Sequence, residues 1–198
     1  MKERSIIFGA PMVQALFAGT KTQTRRTVKN VFPEAVRSVR HEQVDGAYWF
    51  YDRADKPLQL LPCPYGKPGD HLWVKETHGY GGEPSMPALY YRATEPEAPI
   101  RGNWKSSLFM RREDSRILLE ITSIGASRLQ NISDEDAKAE GLYQDQAGRL
   151  TTWSASQESK EFLNPIEAYR DLWESINGTS SWDANPWVWV IEFRRILQ

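Results

Sequence analysis

The chain has 198 residues, 40% of them hydrophobic and 26% charged, a balance typical of a globular protein with its own core. Its formal net charge of −1 argues against a protein that coats nucleic acid through bulk electrostatics, although residues 1–40 carry eight basic and two acidic side chains, a local charge of +6. The single cysteine, Cys63, excludes an intrachain disulfide framework and a cysteine-rich zinc site.

The hydropathy pattern predicts no membrane partner. No apolar run approaches the roughly 20 residues that a membrane-spanning helix needs, and the first residues do not follow the pattern of a signal peptide. Neither an internal repeat nor a linker divides the chain. We therefore expect a cytoplasmic protein with a single domain over residues 1–198.

One helix and two strands are predicted in the first half of the chain. The helix covers residues 10–19, because Pro11 suits the first helical position and Gly19 a helix stop. The β-prone segments "HLWVKE" and "ALYYRA" predict strands at 71–76 and 88–93. The remainder is rich in glycine, proline and polar residues and is predicted to form irregular structure or loops, at residues 30–68 and 78–87.

The second half of the chain gives clearer signals. "RILLEITSI" (116–124) places its apolar side chains on one face and predicts a strand, whereas "WVWVIEF" (187–193) is apolar on both faces and predicts a buried one. Two helices, each with a capping residue before it and glycine at its end, are predicted at residues 133–141 and 164–178. A polar insertion is expected at 144–160. This order of elements indicates an α+β fold with a small, mainly antiparallel sheet or barrel.

The stretch "GTKTQTRR" (19–26) concentrates the reactive side chains. Lys21 and Thr24 are three residues apart, so in a turn or helix their side chains share a face. A threonine hydroxyl needs a base beside it, and a lysine serves as that base when burial or the charge of Arg25 and Arg26 lowers its pKa. The alternative is a basic surface turn whose threonines cap backbone groups, and spacing alone favours this alternative.

Two further segments carry candidate functional residues. Glu140, at the end of the short predicted helix, is either a proton donor or one more acidic residue on a solvated face. "NWKSSLFMRR" (103–112) mixes an aromatic ring, hydroxyls and three cations, which suits a nucleotide site as well as a solvated loop. Cys63 is expected to be structural, and the histidines lack the spacing of metal ligands (His41, His71 and His78).

Taken together, these segments resemble the ASCH superfamily, whose domains have a β-barrel related to the PUA RNA-binding fold. The residues that carry the resemblance match the signature G-x-K-x-x-x-x-R (Gly19, Lys21, Thr24 and Arg26). Residues 65–76 and 103–122 resemble segments of phage and prophage ASCH proteins, and 132–142 resembles the short acidic helix of the family. The resemblance implies a small PUA-like barrel, mainly antiparallel, with peripheral helices and loop insertions near 30–68, 78–87 and 144–160.

Many members of the superfamily have glutamate where this chain has Thr24. The chain instead resembles the small bacterial N4-acetylcytidine amidohydrolases, which carry lysine and threonine in this arrangement and a glutamate on the short helix. The resemblance implies that Lys21 is the proton acceptor, Thr24 the nucleophile and Glu140 the proton donor, with no metal and no cofactor. The implied substrate is a modified cytidine nucleoside or nucleotide. The implied substrate contacts are Arg26, Trp73, Glu76, Trp104, Lys105, Ser106 and Arg111.

Three other functions are compatible with the same residues. An RNA-binding or RNA-cleaving ASCH protein would use the basic N-terminal third to hold the phosphates of single-stranded RNA. A non-catalytic reader would recognise a modified base in the same pocket without turning it over. An interaction protein would retain the fold with an idle pocket.

Overall fold

The computed structural model describes residues 1–29, 35–41, 47–147 and 150–197, which form a mixed α+β fold. The helices are α1 (Ala10–Ala18), α2 (Asp134–Ala139) and α3 (Pro165–Asn177). The strands are β1 (Glu3–Ile7), β2 (Gln23–Thr27), β3 (Ser38–His41), β4 (Ala47–Tyr51), β5 (Pro57–Pro62), β6 (His71–Lys75), β7 (His78–Glu83), β8 (Met86–Tyr91), β9 (Leu118–Arg128), β10 (Tyr143–Ala147), β11 (Leu150–Ser154) and β12 (Trp187–Ile196).

The main sheet has five strands in the order β1-β6-β9-β12-β2. Its first pair, β1 and β6, is parallel, and every other pair is antiparallel, as expected. Within the described part of the chain no pairing joins β1 to β2, so the sheet has two free edges. The free edge of β2 lies at the candidate site.

β12 separates two hydrophobic clusters, which explains why its sequence is apolar on both faces. Trp189 and Ile191 pack into the larger cluster, which fills the space between the main sheet, α1 and the sheet of β3, β4 and β5. Val188 packs into the smaller cluster together with Tyr169 and Trp173 of α3. Burying both faces of one strand fixes α3 against the end of the main sheet.

The helix ends follow the capping signals in the sequence. α1 ends at Gly19, whose φ of +76° is a left-handed conformation that glycine adopts without strain. Ser133 accepts a hydrogen bond from the backbone N–H of Asp136 at the start of α2, and Asn164 accepts one from Ile166 at the start of α3.

The predicted irregular and loop segments are corrected by the structure. The described part of 30–68 contains the antiparallel sheet β3-β4-β5, residues 78–91 form the β7-β8 hairpin, and the polar insertion forms the β10-β11 hairpin. The glycines of β7 explain the error, since they lie where backbones approach closely: a Cβ on Gly81 would come within 2.4 Å of the Pro99 carbonyl oxygen. Strand pairing is made by backbone groups, which glycine retains. No helix in the described residues is long and apolar enough to cross a membrane.

Candidate functional site

The site forms where the end of α1 meets the end of α2. Lys21 and Glu140 form an isolated antiparallel bridge, and the backbone N–H of Thr22 donates to the Ala139 carbonyl at 2.9 Å. Gly141 allows this approach, because a Cβ there would lie 2.7 Å from the Cβ of Lys21. Two residues 119 positions apart in the sequence are thereby held side by side.

The side chain of Lys21 is fully buried and bonded. Its Nζ donates to the Gln23 carbonyl at 2.9 Å, to the Glu140 carbonyl at 2.6 Å and to Glu140 Oε2 at 3.1 Å. Burial lowers the pKa of Lys21, and the neighbouring Glu140 carboxylate partly opposes this effect. A lysine base needs a lowered pKa, and burial is the main cause of the lowering here. The charges of Arg25 and Arg26 lower the pKa further, by less.

Glu140 lies between two cations. Besides Lys21, its Oε1 accepts from Arg25 Nη1 at 3.4 Å, and Arg25 Nη2 also donates to Asp136 Oδ2 at 2.7 Å. Arg25 Nη1 makes a further hydrogen bond to Gln23 Oε1. The network fixes the Glu140 carboxylate against β2 and keeps Arg25 from turning into solvent.

Thr24 is buried, at 1% exposure, and its Oγ1 has no hydrogen-bond partner within the described residues. The three Nζ donors of Lys21 are all used elsewhere, so Lys21 and Thr24 are not hydrogen-bonded in this resting arrangement. The expectation that both lie on a surface turn is wrong. A buried hydroxyl without a partner costs stability, so its retention at this position calls for an explanation.

A cleft of about 80 Å³ runs along β2 and opens onto this network. Its walls include Thr24, Arg26, Tyr65, Glu140, Tyr169 and Trp173. Three of the lining residues hold a buried polar atom that lacks a partner in the described chain, namely Thr24 Oγ1, Arg25 Nε and Trp173 Nε1. Polar atoms that lack a protein partner and surround one cleft are able to hydrogen-bond to a polar ligand.

Arg26, a predicted substrate contact, is bonded to the end of β1. It lines the cleft, donates from Nη2 to the Ile7 carbonyl at 2.8 Å and lies 5.4 Å from the ring centre of Phe8. These contacts anchor the guanidinium at the mouth of the cleft.

The other predicted substrate contacts lie outside this cleft. Lys75 stacks over Trp73 at 5.6 Å, and Glu76 is paired with Arg116 at 2.9 Å. Trp104 is half-buried beside Lys105, whose Nζ lies 4.5 Å from the ring centre of Tyr80. Ser106 caps a short turn and Arg111 pairs with Glu113 at 3.0 Å. Sequence resemblance predicted these residues as substrate contacts, but no residue of β6 or of the 103–112 segment lines the cleft.

Tyr169 is the functional candidate that the sequence did not reveal. The apolar stripe of α3 accounts for it as a core residue, and it is 3% exposed, yet it lines the cleft. Burial raises its pKa well above the usual value, and the charge of Glu140 and a hydrogen bond to that carboxylate raise it further. A buried tyrosine in an apolar helix stripe needs a polar partner for its hydroxyl. This need is the feature of the sequence that could have identified Tyr169 as a candidate.

Cys63 is 5% exposed, and burial raises the pKa of its thiol to about 11, which suits the structural role predicted for it. Within the described residues, no three or more His, Cys, Asp or Glu side chains are grouped to hold a metal ion. Comparisons with protein-family models, with curated proteins and with solved structures found no match.

Proposed function

We propose that the protein is a metal-independent amidohydrolase of the ASCH type that removes an acyl group from the exocyclic amine of an N4-acylated cytidine. The observation that carries the proposal is the buried hydroxyl of Thr24, which has no partner within the described residues, at a cleft whose lining also includes Glu140, the partner of Lys21. In this proposal Thr24 is the nucleophile, Lys21 the base and Glu140 the acid.

The Lys21–Glu140 pair prepares the reaction by an internal proton transfer. Moving one proton from Nζ to Oε2, over 3.1 Å, removes both charges from a buried site. The transfer leaves a lysine with a free lone pair and a carboxylic acid, which are the two forms that base and acid catalysis require. The lone pair formed in this way faces Glu140 Oε2, so in this proposal Nζ turns toward Thr24 before it accepts the Thr24 proton.

In the acylation step, Thr24 Oγ1 attacks the acyl carbonyl carbon and its proton passes to Lys21. Buried N–H groups without partners, Arg25 Nε and Trp173 Nε1, supply donors for the oxyanion. Glu140 then gives its proton to N4 as the C–N bond breaks. The products of this half are cytidine, an acyl ester on Thr24, a lysine ammonium and a glutamate carboxylate.

In the deacylation step, water attacks the ester carbonyl and its proton passes to the Glu140 carboxylate. Thr24 Oγ1 leaves and takes back the proton held by Lys21. Both residues return to their neutral forms and a carboxylic acid is released. Each proton that enters the cycle is accounted for by these three side chains.

The dimensions of the cleft agree with a small reacting group. A volume of about 80 Å³ accommodates an acyl group and one edge of a planar ring rather than a whole nucleoside. The aromatic walls of the cleft are Tyr65, Tyr169 and Trp173, so these rings replace Trp73 and Trp104 as candidates for contact with the pyrimidine. In this proposal the main sheet is the wall of the ASCH-type barrel and the protein is cytoplasmic.

The direct test is the conversion of N4-acetylcytidine to cytidine by the purified protein, with Thr24→Ala as the control. We expect turnover by the wild type and none by the variant. Turnover that survives in Thr24→Ala would remove Thr24 from the mechanism, and a wild type without activity on this or longer N4-acyl groups would contradict the proposed function.

A non-catalytic reader is the second candidate, favoured by the full bonding of Lys21, which leaves no contact with Thr24. A reader predicts binding of N4-acetylcytidine without turnover. An RNA-binding protein instead predicts affinity for single-stranded RNA that falls steeply with salt, so binding at two salt concentrations separates it from both.

A further inference from the structure

The last strand of the main sheet, β2, has one row of backbone groups that no other strand in the described part of the chain pairs with. Phe193 N–H donates to the Thr22 carbonyl and Val28 N–H donates to the Trp187 carbonyl, so the even-numbered residues of this strand face β12. The odd-numbered residues, Arg25 and Thr27, therefore direct their N–H and C=O groups to the opposite side. β2 is the last strand in the sheet order, so no strand of the described residues accepts them.

This free edge forms part of the cleft. Arg25 and Thr27 are among its lining residues, with α3 as the facing wall. The edge is closed at one end, because Lys21 Nζ bonds the outward carbonyl of Gln23 and the Lys21–Glu140 bridge follows. What stays open is the short row from Arg25 to Thr27, next to the Thr24 hydroxyl.

We infer that the backbone of β2 reads the pyrimidine ring: the Arg25 carbonyl accepts a hydrogen bond from N4–H, and the Thr27 N–H donates to ring nitrogen N3. The inference rests on the proposed function and deepens it. A carbonyl and the N–H two residues later on a strand edge form an acceptor–donor pair, and an N4-acylated cytosine presents the complementary donor and acceptor at N4 and N3. This pairing brings N4, one atom of the scissile C–N bond, beside Thr24.

A peptide that adds a strand to this edge is the competing occupant. The closed end at Lys21 and the small volume of the cleft disfavour it, since an added strand needs a continuous open edge. A flat ring that approaches edge-on needs only the two groups described.

A proline substitution tests the donor directly. Thr27→Pro removes the Thr27 N–H, and an outward-facing position on an edge strand tolerates proline because no ladder bond is lost. Thr27→Ala is the matched control, because it removes the side chain and keeps the N–H. The two substrates are N4-acetylcytidine and its 3-deaza analogue, which has C–H in place of N3.

We expect the wild type and Thr27→Ala to prefer N4-acetylcytidine by about tenfold in kcat/KM, the worth of one hydrogen bond. Thr27→Pro should lose this preference while it still turns over both compounds. Equal turnover of the two compounds by the wild type, or a preference that survives in Thr27→Pro, would overturn the inference while leaving the amidohydrolase intact.

Two other outcomes are also decisive. No turnover of either compound by the wild type would refute the proposed function, and the inference with it. Concentration-dependent self-association that Thr27→Pro abolishes would assign the edge to strand addition instead. If Thr27→Pro does not fold, the wild-type preference is compared with the difference in uncatalysed hydrolysis rate between the same two compounds. A wild-type preference no larger than that intrinsic difference would overturn the inference.

Discussion

At the scale of single residues, the site combines side chains that are individually unfavourable where they lie. Lys21 is a buried cation, Glu140 a buried anion, and Thr24 a buried hydroxyl without a partner in the described chain. The sequence predicted all three as one constellation through resemblance. It did not predict their burial, because exposure is decided by α2, which the chain reaches more than 100 residues later.

Replacing Thr24 by valine separates function from stability. The two side chains have nearly the same shape, and valine removes a buried hydroxyl that has no hydrogen bond to lose. We expect turnover to vanish, while the free energy of unfolding stays the same or rises by up to about 1 kcal/mol. Denaturant unfolding and the cytidine assay on the same samples measure both. A loss of several kcal/mol would show that the hydroxyl is structural.

The lowered pKa of Lys21 predicts two pH dependences. The unfolded chain binds the lysine proton more tightly than the folded chain, so the free energy of unfolding should rise with pH as the solution approaches the ordinary value of 10.5 from below. The rate should fall with pH over the same range, with a midpoint below 10.5, because the reaction starts from one proton shared by Lys21 and Glu140. Loss of that proton leaves no acid to protonate N4.

Lys21→Met is the control for both effects. It keeps the length of the side chain and removes the titration, so its stability should lack the rise that the wild type shows. A wild-type rate that is independent of pH over the alkaline range would contradict the role of Lys21 as base.

At the scale of elements, the site depends on the turn that ends α2. Gly141 has a φ of +87°, and a Cβ there would meet Lys21 Cβ at 2.7 Å and Ala15 Cβ at 2.8 Å. Gly141→Ala should lower the free energy of unfolding by at least about 1–2 kcal/mol through backbone strain, and reduce kcat by displacing Lys21.

Gly125→Ala is the matched substitution, since Gly125 lies in β9 and a Cβ there would meet nothing within 4 Å. Thermal unfolding and kcat of the two variants make the comparison. Equal effects at the two glycines would show that the end of α2 has no special part in the site.

The facing helix contributes through Tyr169, which we expect to position the Glu140 carboxylate. Tyr169→Phe removes only the hydroxyl and should cost about 1 kcal/mol of stability. It should also lower kcat more than it raises KM and displace the acidic limb of the pH–rate profile. A change in stability alone, with the pH profile unmoved, would leave Tyr169 as a core residue.

Capping signals and apolar periodicity predicted the helices and the strands β6, β9 and β12 well, because these signals are local. β8 overlaps the strand predicted at 88–93, but β7 was missed because its glycines resemble a loop in sequence. The close approach of residues 99 and 100 to Gly79 and Gly81 is visible only in the fold. The cleft could not be predicted, since it exists only between the free edge of β2 and the wall of α3.

At the scale of the whole molecule, the charge asymmetry in the sequence is offset in part by internal pairing. The basic N-terminal region meets acidic residues from later segments: Arg4 with Asp70 at 3.0 Å, Arg25 with Asp136 at 2.7 Å and Lys21 with Glu140 at 3.1 Å. Cations that are committed to these pairs do not form a free phosphate-binding face. The asymmetry therefore supports the assembly of the site more than it supports binding of long RNA.

The most direct measurement of the central claim is the mass of the intact protein after rapid mixing with N4-acetylcytidine and acid quenching. We predict a species heavier by one acetyl group, with the modification on Thr24 after proteolysis and absent from Thr24→Val. Cytidine release by a protein that never carries the acetyl group, or an acetyl group found on another residue, would contradict the account.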